Sequence, residues 1–513
     1  MTRGEVRSVA IIGAGIGGLA TAALLAKAGF SVDIYEQGKT PGGRAGLLEA
    51  NGFRFDTGPS WYLMPGVFEH FYELMGEDIS HHLRLRKLSP AYTVFFEHEQ
   101  PVTITTDQAR DEATFEAIEA GAGEALRRYV DQGEQTYRLA LKHFLYSNFS
   151  TPRDVMNREV LRHGPAMARM AGTSIDRHVG GFVQDRRLRQ ILEYPMVFLG
   201  TSPFSAPAIY SLMSALDFRE GVYYPEGGLY EIIRSITALA QKAGARLHYG
   251  KEATAITHTG NRAGGITFAD GSQTAADIII SNADLHHTET RLLDRSAQSY
   301  PEKYWQNREA GPSALLLYLG IKGKLPQLSH HNLLFVDAWR QNFEAIYRDR
   351  TFPDPASIYL CKPSATDKTV APKGHENVFV LVPLPPGRIP SDKEQHQLVT
   401  TYLRQIANMT GIPDLMERIT YQSVFGPGDF SRVFHAWQST ALGPSHLLRQ
   451  SAMFRTPNRS RKLSNLYYVG AGTTPGVGLP MCLIGAELIY KRLAGDHRGG
   501  PVDAIRQVGR EGA

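Results

Sequence analysis

The chain has little that would place it outside the cell or on a nucleic acid. Its 513 residues include only two cysteines, Cys361 and Cys482. They form no CxxC or Cys/His zinc pattern and no disulfide framework, which reads as a reduced, cytoplasmic protein. Charge of one sign is also scarce. Lys and Arg number 55 against 51 Asp and Glu, a net +4, too thin a surplus to predict nucleic-acid binding. No uninterrupted apolar run of roughly 18 residues or more occurs, so no spanning helix is expected. Val9 to Phe30, behind Arg3 and Arg7, has the outline of a secretory leader, but its glycines and Lys27 argue against one. With 42% hydrophobic and 21% charged residues the chain is neither disordered nor fibrous, and its length suggests two or three domains.

What it does have is glycine, 50 of them, and their placement is informative. Val6 to Gly13 reads as a buried strand, Ile16 to Ala28 as a helix and Ser31 to Glu36 as a second strand. That order is the crossover unit of a parallel sheet. Ala91 to Thr106 reads as a hairpin, and Asp111 to about Arg219 as mostly helical. Gly228 to Ala243 reads as a helix followed by short strands at 246–249, 253–258, 265–268 and 277–281. Strands are also expected at 314–321, 333–336, 357–360, 377–382 and 466–470, and a last helix from about Pro480 to Leu493.

Gly13-Ala14-Gly15-Ile16-Gly17-Gly18 is a GxGxxG between strand and helix. Gly13 permits the tight turn, Gly15 lets a pyrophosphate approach the backbone, and Gly18 lets helix and strand pack closely. The helix N-terminus then offers free N–H groups and a positive dipole. Glu36, ending the second strand, is placed to bind ribose hydroxyls and would repel a 2′-phosphate. This motif does not separate FAD from NAD. Pro41-Gly42-Gly43-Arg44-Ala45 follows, with two glycines for close backbone approach and Arg44 as a cation for a diphosphate. Phe55-Asp56-Thr57-Gly58-Pro59-Ser60-Trp61-Tyr62 is a turn-forming cluster flanked by aromatics, read as a loop beside a ligand. Gly470 to Met481 is a second dense glycine run ahead of a helix, whose dipole could stabilise negative charge on a bound ring.

From Val9 to about Leu493 the sequence resembles the bacterial-type carotenoid (phytoene) desaturases, FAD-dependent flavoproteins of the amine-oxidase-like superfamily. The likeness is carried by GAGIGGLATAALLAKAGFSVDIYEQGKTPGGRA, FDTGPSWYLMP, YYPEGGLYEIIRSI and YVGAGTTPGVGLPMCLIGAELI. It implies an α/β fold: a Rossmann-type FAD-binding domain of discontinuous sequence, plus a substrate domain with a mixed sheet and a helical subdomain. Positions 1–90, 220–290 and 461–495 would form the first, 91–219 and 291–460 the second, and 496–513 a flexible tail. FAD contacts would be Gly13, Gly15, Gly18, Glu36, Gly43, Arg44, Gly58, Ala253, Gly472 and Met481. Two departures stand out: Val477 interrupts the glycines usual in the last motif, and alanine at 253 replaces the family's usual valine.

The resemblance implies desaturation of a long polyisoprenoid hydrocarbon, phytoene to lycopene or an intermediate, by hydride transfer to flavin N5 with proton loss. The substrate is dissolved in lipid, so peripheral membrane attachment on the cytoplasmic side is expected, with quinone or oxygen as electron acceptor. Arg158 to Arg177 mixes basic and apolar residues as an interfacial helix would, or as a core helix with a solvated face. Other readings are an isomerase or terminal oxidase of the same family, or an amine- or porphyrinogen-type oxidase. No acid/base constellation stands out among the 18 histidines. Adjacent His286 and His287 read as surface residues, and no metal site is read. Asp154 is the one candidate polar group in the substrate channel.

Overall fold

The computed structural model describes residues 6–149 and 158–509. The N-terminal crossover forms the middle of a five-stranded sheet, ordered Leu466–Tyr468, Ile278–Ser281, Ser8–Ile12, Ser31–Glu36, Arg246–Tyr249. Every neighbouring pair is parallel. The sheet is covered by helices Ile16–Lys27, Tyr230–Lys242 and Leu479–Leu493, which share one core with it. Ile278 and Ile280 face that core and Ile279 a second one, with Ile256, Ile266 and Phe268 on the opposite side, so the unbroken apolar run Ile278-Ile279-Ile280 is buried on both faces. Three distant stretches of chain thus complete one sheet.

The second sheet is mixed and has seven strands: Ile419–Phe425, Ser313–Lys322, His375–Leu384, Ile358–Cys361, His331–Phe335, Tyr92–Phe96 and Val102–Ile104, in that order. Its side chains alternate with the two-residue strand period. Leu315, Leu317, Leu319, Val380, Val382 and Leu334 face a core with the helix Asp392–Thr410. Leu316, Tyr318, Leu333, Phe335, Tyr359 and Leu381 face the other way, onto a large cavity. That helix is missing from the sequence reading. Val399, Tyr402, Leu403 and Ile406 give it an apolar stripe, and Ser391 with Glu394 closes a capping box at its start. The edge strand Ile419–Phe425 is also unforeseen. Its inward and outward residues are all half-buried or exposed, so little hydrophobic contrast marks it.

The sequence reading expects a flexible tail over 496–513, and here the structure differs. Val502 is buried and its N–H donates to Glu487 Oε1 (2.6 Å). Lys491 Nζ donates to the carbonyls of Arg498 (2.5 Å) and Gly500 (2.8 Å). Farther on, Val508 N–H donates to Ala28 O (2.9 Å), and Arg7 N–H to Gly509 O (2.8 Å). The segment up to 509 is held through its backbone, which a polar, glycine-rich composition does not reveal.

Candidate functional site

Between the two sheets lies a cavity of about 1150 Å³. One end is built by the loops that leave the carboxyl ends of the parallel strands, where ligands bind in open α/β sheets. Gly13, Gly15, Glu36, Gly43, Arg44, Gly58, Ala253, Gly472 and Met481 all stand on its wall. Gly18, expected among the contacts, does not line it. A Cβ there would come within 2.2 Å of the Gly13 carbonyl oxygen, so its service is close packing of helix on strand. Asp154 lies outside the described residues.

The geometry suits a dinucleotide. The helix Ile16–Lys27 starts after Gly15 with no side-chain cap, which leaves its first N–H groups free for an anion. The Glu36 carboxylate accepts from the N–H groups of Ala14 (2.8 Å) and Gly38 (2.7 Å), fixing the turn on either side. Arg44 Nε and Nη2 are buried without a hydrogen-bond acceptor, and Nη2 is 3.9 Å from Asp284 Oδ2. Burial lowers the Arg44 pKa, opposed by the Asp284 charge. A guanidinium in this state is short of anionic partners, as a diphosphate would supply. A Cβ at Gly58 would come within 2.3 Å of the Arg44 carbonyl oxygen, so this loop fits only because residue 58 is glycine. Asp56 anchors the same loop, accepting from Leu229 N–H (2.8 Å) and Tyr230 N–H (2.9 Å) at the start of the helix Tyr230–Lys242, and burial raises its pKa to about 6.

Asn282 and Asp284, which the sequence reading does not single out, belong here. Asn282 donates from Nδ2 to Val469 O (2.9 Å) and from its N–H to Ile12 O (2.8 Å), pinning three strand ends together. Its Oδ1 lies 2.7 Å from where a Gly15 Cβ would stand. The signal was Ser281-Asn282-Ala283-Asp284 at the end of an apolar strand, where polar residues turn the chain. His287 is not a surface residue as expected. It lines the cavity, stacks on His435 (ring centroids 4.1 Å apart), and burial pulls its pKa down to about 4. His286 is paired with Glu302 (2.9 Å) instead.

The far end of the cavity is made of side chains. Trp61, Tyr194, Phe198, Phe335 and Trp339 form an aromatic wall. Among the described residues, the Asp, Glu, Lys and Arg side chains lining the cavity are Glu36, Arg44, Lys251 and Asp284, all from segments around the parallel sheet. Behind the aromatic wall, Asp217 accepts from the hydroxyls of Tyr92 and Tyr194 (2.8 Å each), and burial raises its pKa to about 7. Glu193 accepts from Trp339 Nε1 (2.8 Å) and is likewise raised to about 7 by burial.

His446 sits on the wall between these two ends and was not foreseen. Its Nδ1 donates to Leu199 O (2.9 Å), which leaves Nε2 as the nitrogen with a lone pair. Nε2 lies against the glycine loop ahead of the last helix: a Cβ at Gly476 would come within 2.3 Å of it. Burial, and then the nearby Arg455 charge, hold the imidazole well below its ordinary pKa, hence neutral. Val477 of the same loop also lines the cavity.

The family model for flavin-containing amine oxidoreductases matches residues 16–487. The chain is 39% identical to a carotenoid 3,4-desaturase of Haloarcula japonica over 490 residues, covering 95% of this chain and 98% of the relative. It is 34% identical to a zeta-carotene-forming phytoene desaturase of Myxococcus xanthus, with 95% and 94% covered. Among solved structures, an oxidoreductase from Methanosarcina mazei superposes with TM-score 0.63 at 18% identity, covering 94% of this chain and 100% of that one. A putrescine oxidase bound to putrescine gives TM-score 0.61 at 15% identity, covering 96% and 98%, a likeness of fold alone.

Proposed function

The chain belongs to the flavin-containing amine oxidoreductase family, in its carotenoid desaturase branch, and on that premise we propose that it desaturates a lipid-dissolved carotenoid, with FAD as oxidant. The observation that carries this reading is the cavity itself. One end is rich in glycine and holds a guanidinium with two buried nitrogens that lack a hydrogen-bond acceptor; the other is aromatic and aliphatic, with no Asp, Glu, Lys or Arg on the described wall. A hydrocarbon needs shape and apolar contact, whereas an amine would need a carboxylate or an aromatic cage with a charged anchor. Gly13, Gly15, Glu36, Gly43, Arg44, Gly58, Ala253, Gly472 and Met481 would hold the cofactor, and Gly18 would serve it only through packing.

FAD, when bound, supplies the acceptor for a hydride from the saturated C–C unit. The protein's part is to seat the polyene against the aromatic wall, exclude water, and take the proton from the adjacent carbon. His446, on the cavity wall, is the candidate for that last task through Nε2. A proton beside an allylic cation is strongly acidic, so a neutral imidazole of low pKa is base enough; position matters more than strength. The C–H pair leaves as hydride, the second C–H bond feeds the new double bond, and the proton goes to Nε2. The electron-rich faces of Trp61, Tyr194 and Phe335 would steady positive charge on the chain.

Peripheral membrane docking completes the reading. No helix among the described residues is long and apolar enough to cross a membrane. The cavity lip carries Leu448, Met453 and Phe454, 46%, 50% and 55% exposed. The helix Arg158–Ala171 contributes Met167 and Ala171 to the wall and shows Leu161, Arg162 and Arg169 to solvent. Apolar tips with basic neighbours suit an anionic lipid surface. Quinone in that lipid, or oxygen, would then remove the electrons.

The test is the FAD-loaded protein with liposomes carrying phytoene or, separately, lycopene, followed by pigment chromatography. Products with added double bonds support the reading. Unchanged pigments, with turnover of a polyamine in lipid-free buffer, would overturn it.

A further inference from the structure

Behind the aromatic wall, three buried donors converge that neither the cofactor nor the substrate reading uses. His331 begins one strand of the mixed sheet and Cys361 ends its antiparallel neighbour, and the two are direct cross-strand partners. Opposite residues in such a ladder share a face and bring their side chains together. His330 joins them from the turn before the strand. Its ring centroid is 4.5 Å from that of His331. One ligand atom from each of the three lies within 4.8 Å of the others, the one such His/Cys/carboxylate group among the described residues. All three are nearly sealed from solvent, at 4%, 0% and 2% exposed.

His331 Nδ1 lies 2.7 Å from the Tyr359 hydroxyl, whose oxygen is 2.7 Å from Ser60 Oγ. His330 Nδ1 is 2.8 Å from Thr366 Oγ1. Each ring therefore spends one nitrogen on a hydroxyl, and each Nε2 is left buried with no hydrogen-bond partner. Two unsatisfied buried nitrogens are costly unless something fills the space between them. Burial keeps both rings neutral and the thiol protonated in the absence of a cation. A bound metal reverses this for the thiol, which ionises as it ligates. A second, outer partner on each ligating histidine is what fixed metal sites display.

We propose that His330 Nε2, His331 Nε2 and Cys361 Sγ form a binding site for a thiophilic cation of the zinc class. Two imidazoles and a thiolate suit tetrahedral zinc, with a fourth position open. A small void of about 10 Å³ adjoins Cys361 and is lined also by Asp56 and Ser60, room for about one water on the thiol side of the site. Zinc–ligand bonds of about 2.0–2.3 Å would draw the three donors to about 3.5 Å from one another, a closing of side chains rather than of strands. The cation would tie the two strands behind Trp61, which stacks on His331 with ring centroids 4.3 Å apart. It would set the rigidity of that wall and take no part in electron transfer.

The probe is the metal alone, added to the purified flavoprotein after chelator treatment under reducing conditions. One equivalent of zinc should be retained through gel filtration and raise the melting temperature. Cobalt(II) in its place should give ligand-field bands to the red of flavin absorption, with sulfur-to-cobalt charge transfer. Cys361→Ser should abolish the charge transfer and weaken binding at least tenfold, and Tyr359→Phe, which removes only the outer partner, about tenfold. Failure of the wild-type protein to hold zinc or cobalt at micromolar concentration overturns the proposal, as does binding that survives Cys361→Ser undiminished. None of these readouts depends on which carotenoid, if any, the protein converts.

Discussion

On the side of the parallel sheet the cavity wall is mostly backbone; on the side of the mixed sheet it is mostly side chains. The first holds its form through glycines that admit close approach, as at Gly58 beside the Arg44 carbonyl, and through carboxylates bonded to backbone N–H groups, Glu36 and Asp56. The second holds it through aromatic packing around Trp61 and Phe335, backed by buried acids on tyrosine and tryptophan donors. The difference follows from the ligands. A dinucleotide has many polar atoms for backbone groups to meet, whereas a polyene offers only surface.

The contrast can be broken at several points. His446, between the two walls, should matter most. His446→Gln is expected to lower turnover about a hundredfold, with flavin content and KM little changed; parallel loss of bound flavin would instead make it a prop for the Gly476 loop. Gly58→Ala probes the backbone wall. It forces a Cβ against a carbonyl, a strain of ~2 kcal/mol, so FAD affinity by fluorescence titration should fall about thirtyfold. Arg44→Ala should cost about tenfold in FAD affinity, partly recovered in Arg44→Lys. An unchanged affinity would mean that the buried guanidinium serves Asp284 alone.

The side-chain side should respond more weakly and in other measurements. Met453→Ser with Phe454→Ser at the lip is expected to reduce liposome co-sedimentation about fivefold, leaving flavin content intact. The smallest effect concerns pH. Burial raises the folded-state pKa of Asp217 to about 7, above its unfolded value. The folded protein therefore holds an extra proton between those two values. Stability from this group is full below the unfolded pKa and declines as pH rises through about 7. Asp217→Asn should flatten that decline in melting temperature by a few degrees; an unaltered profile would assign the slope to Glu193 and Glu220, raised in the same direction.

Legibility in the sequence followed the same divide. Backbone-built features announce themselves, since a GxGxxG after an apolar strand has few other uses, and Gly43, Arg44 and Gly472, read from spacing or resemblance, line the cavity. Gly18 was read both as a packing glycine and as a contact; it packs against the Gly13 carbonyl and does not line the cavity. Side-chain-built features were not: His446, Asp217 and the pair His331–Cys361 become neighbours only through strand register and helix docking, across separations that no local pattern spans. Cys361 illustrates this best. As one of two cysteines with no nearby histidine motif it had no arguable role; His331 lies opposite it on the adjoining strand and His330 in the turn before that strand.

By itself, then, the sequence determined the parallel crossover, the dinucleotide-binding turn and the flavin family, because these depend on local backbone geometry and on glycine at particular positions. Only the tertiary structure decided that the segment up to residue 509 is held by backbone hydrogen bonds, that His287 and His446 stand on the cavity wall, and that ligand atoms of two histidines and a cysteine converge. Those outcomes depend on which faces of distant elements meet, and burial then shifts groups such as Asp217 and His446 toward their neutral forms.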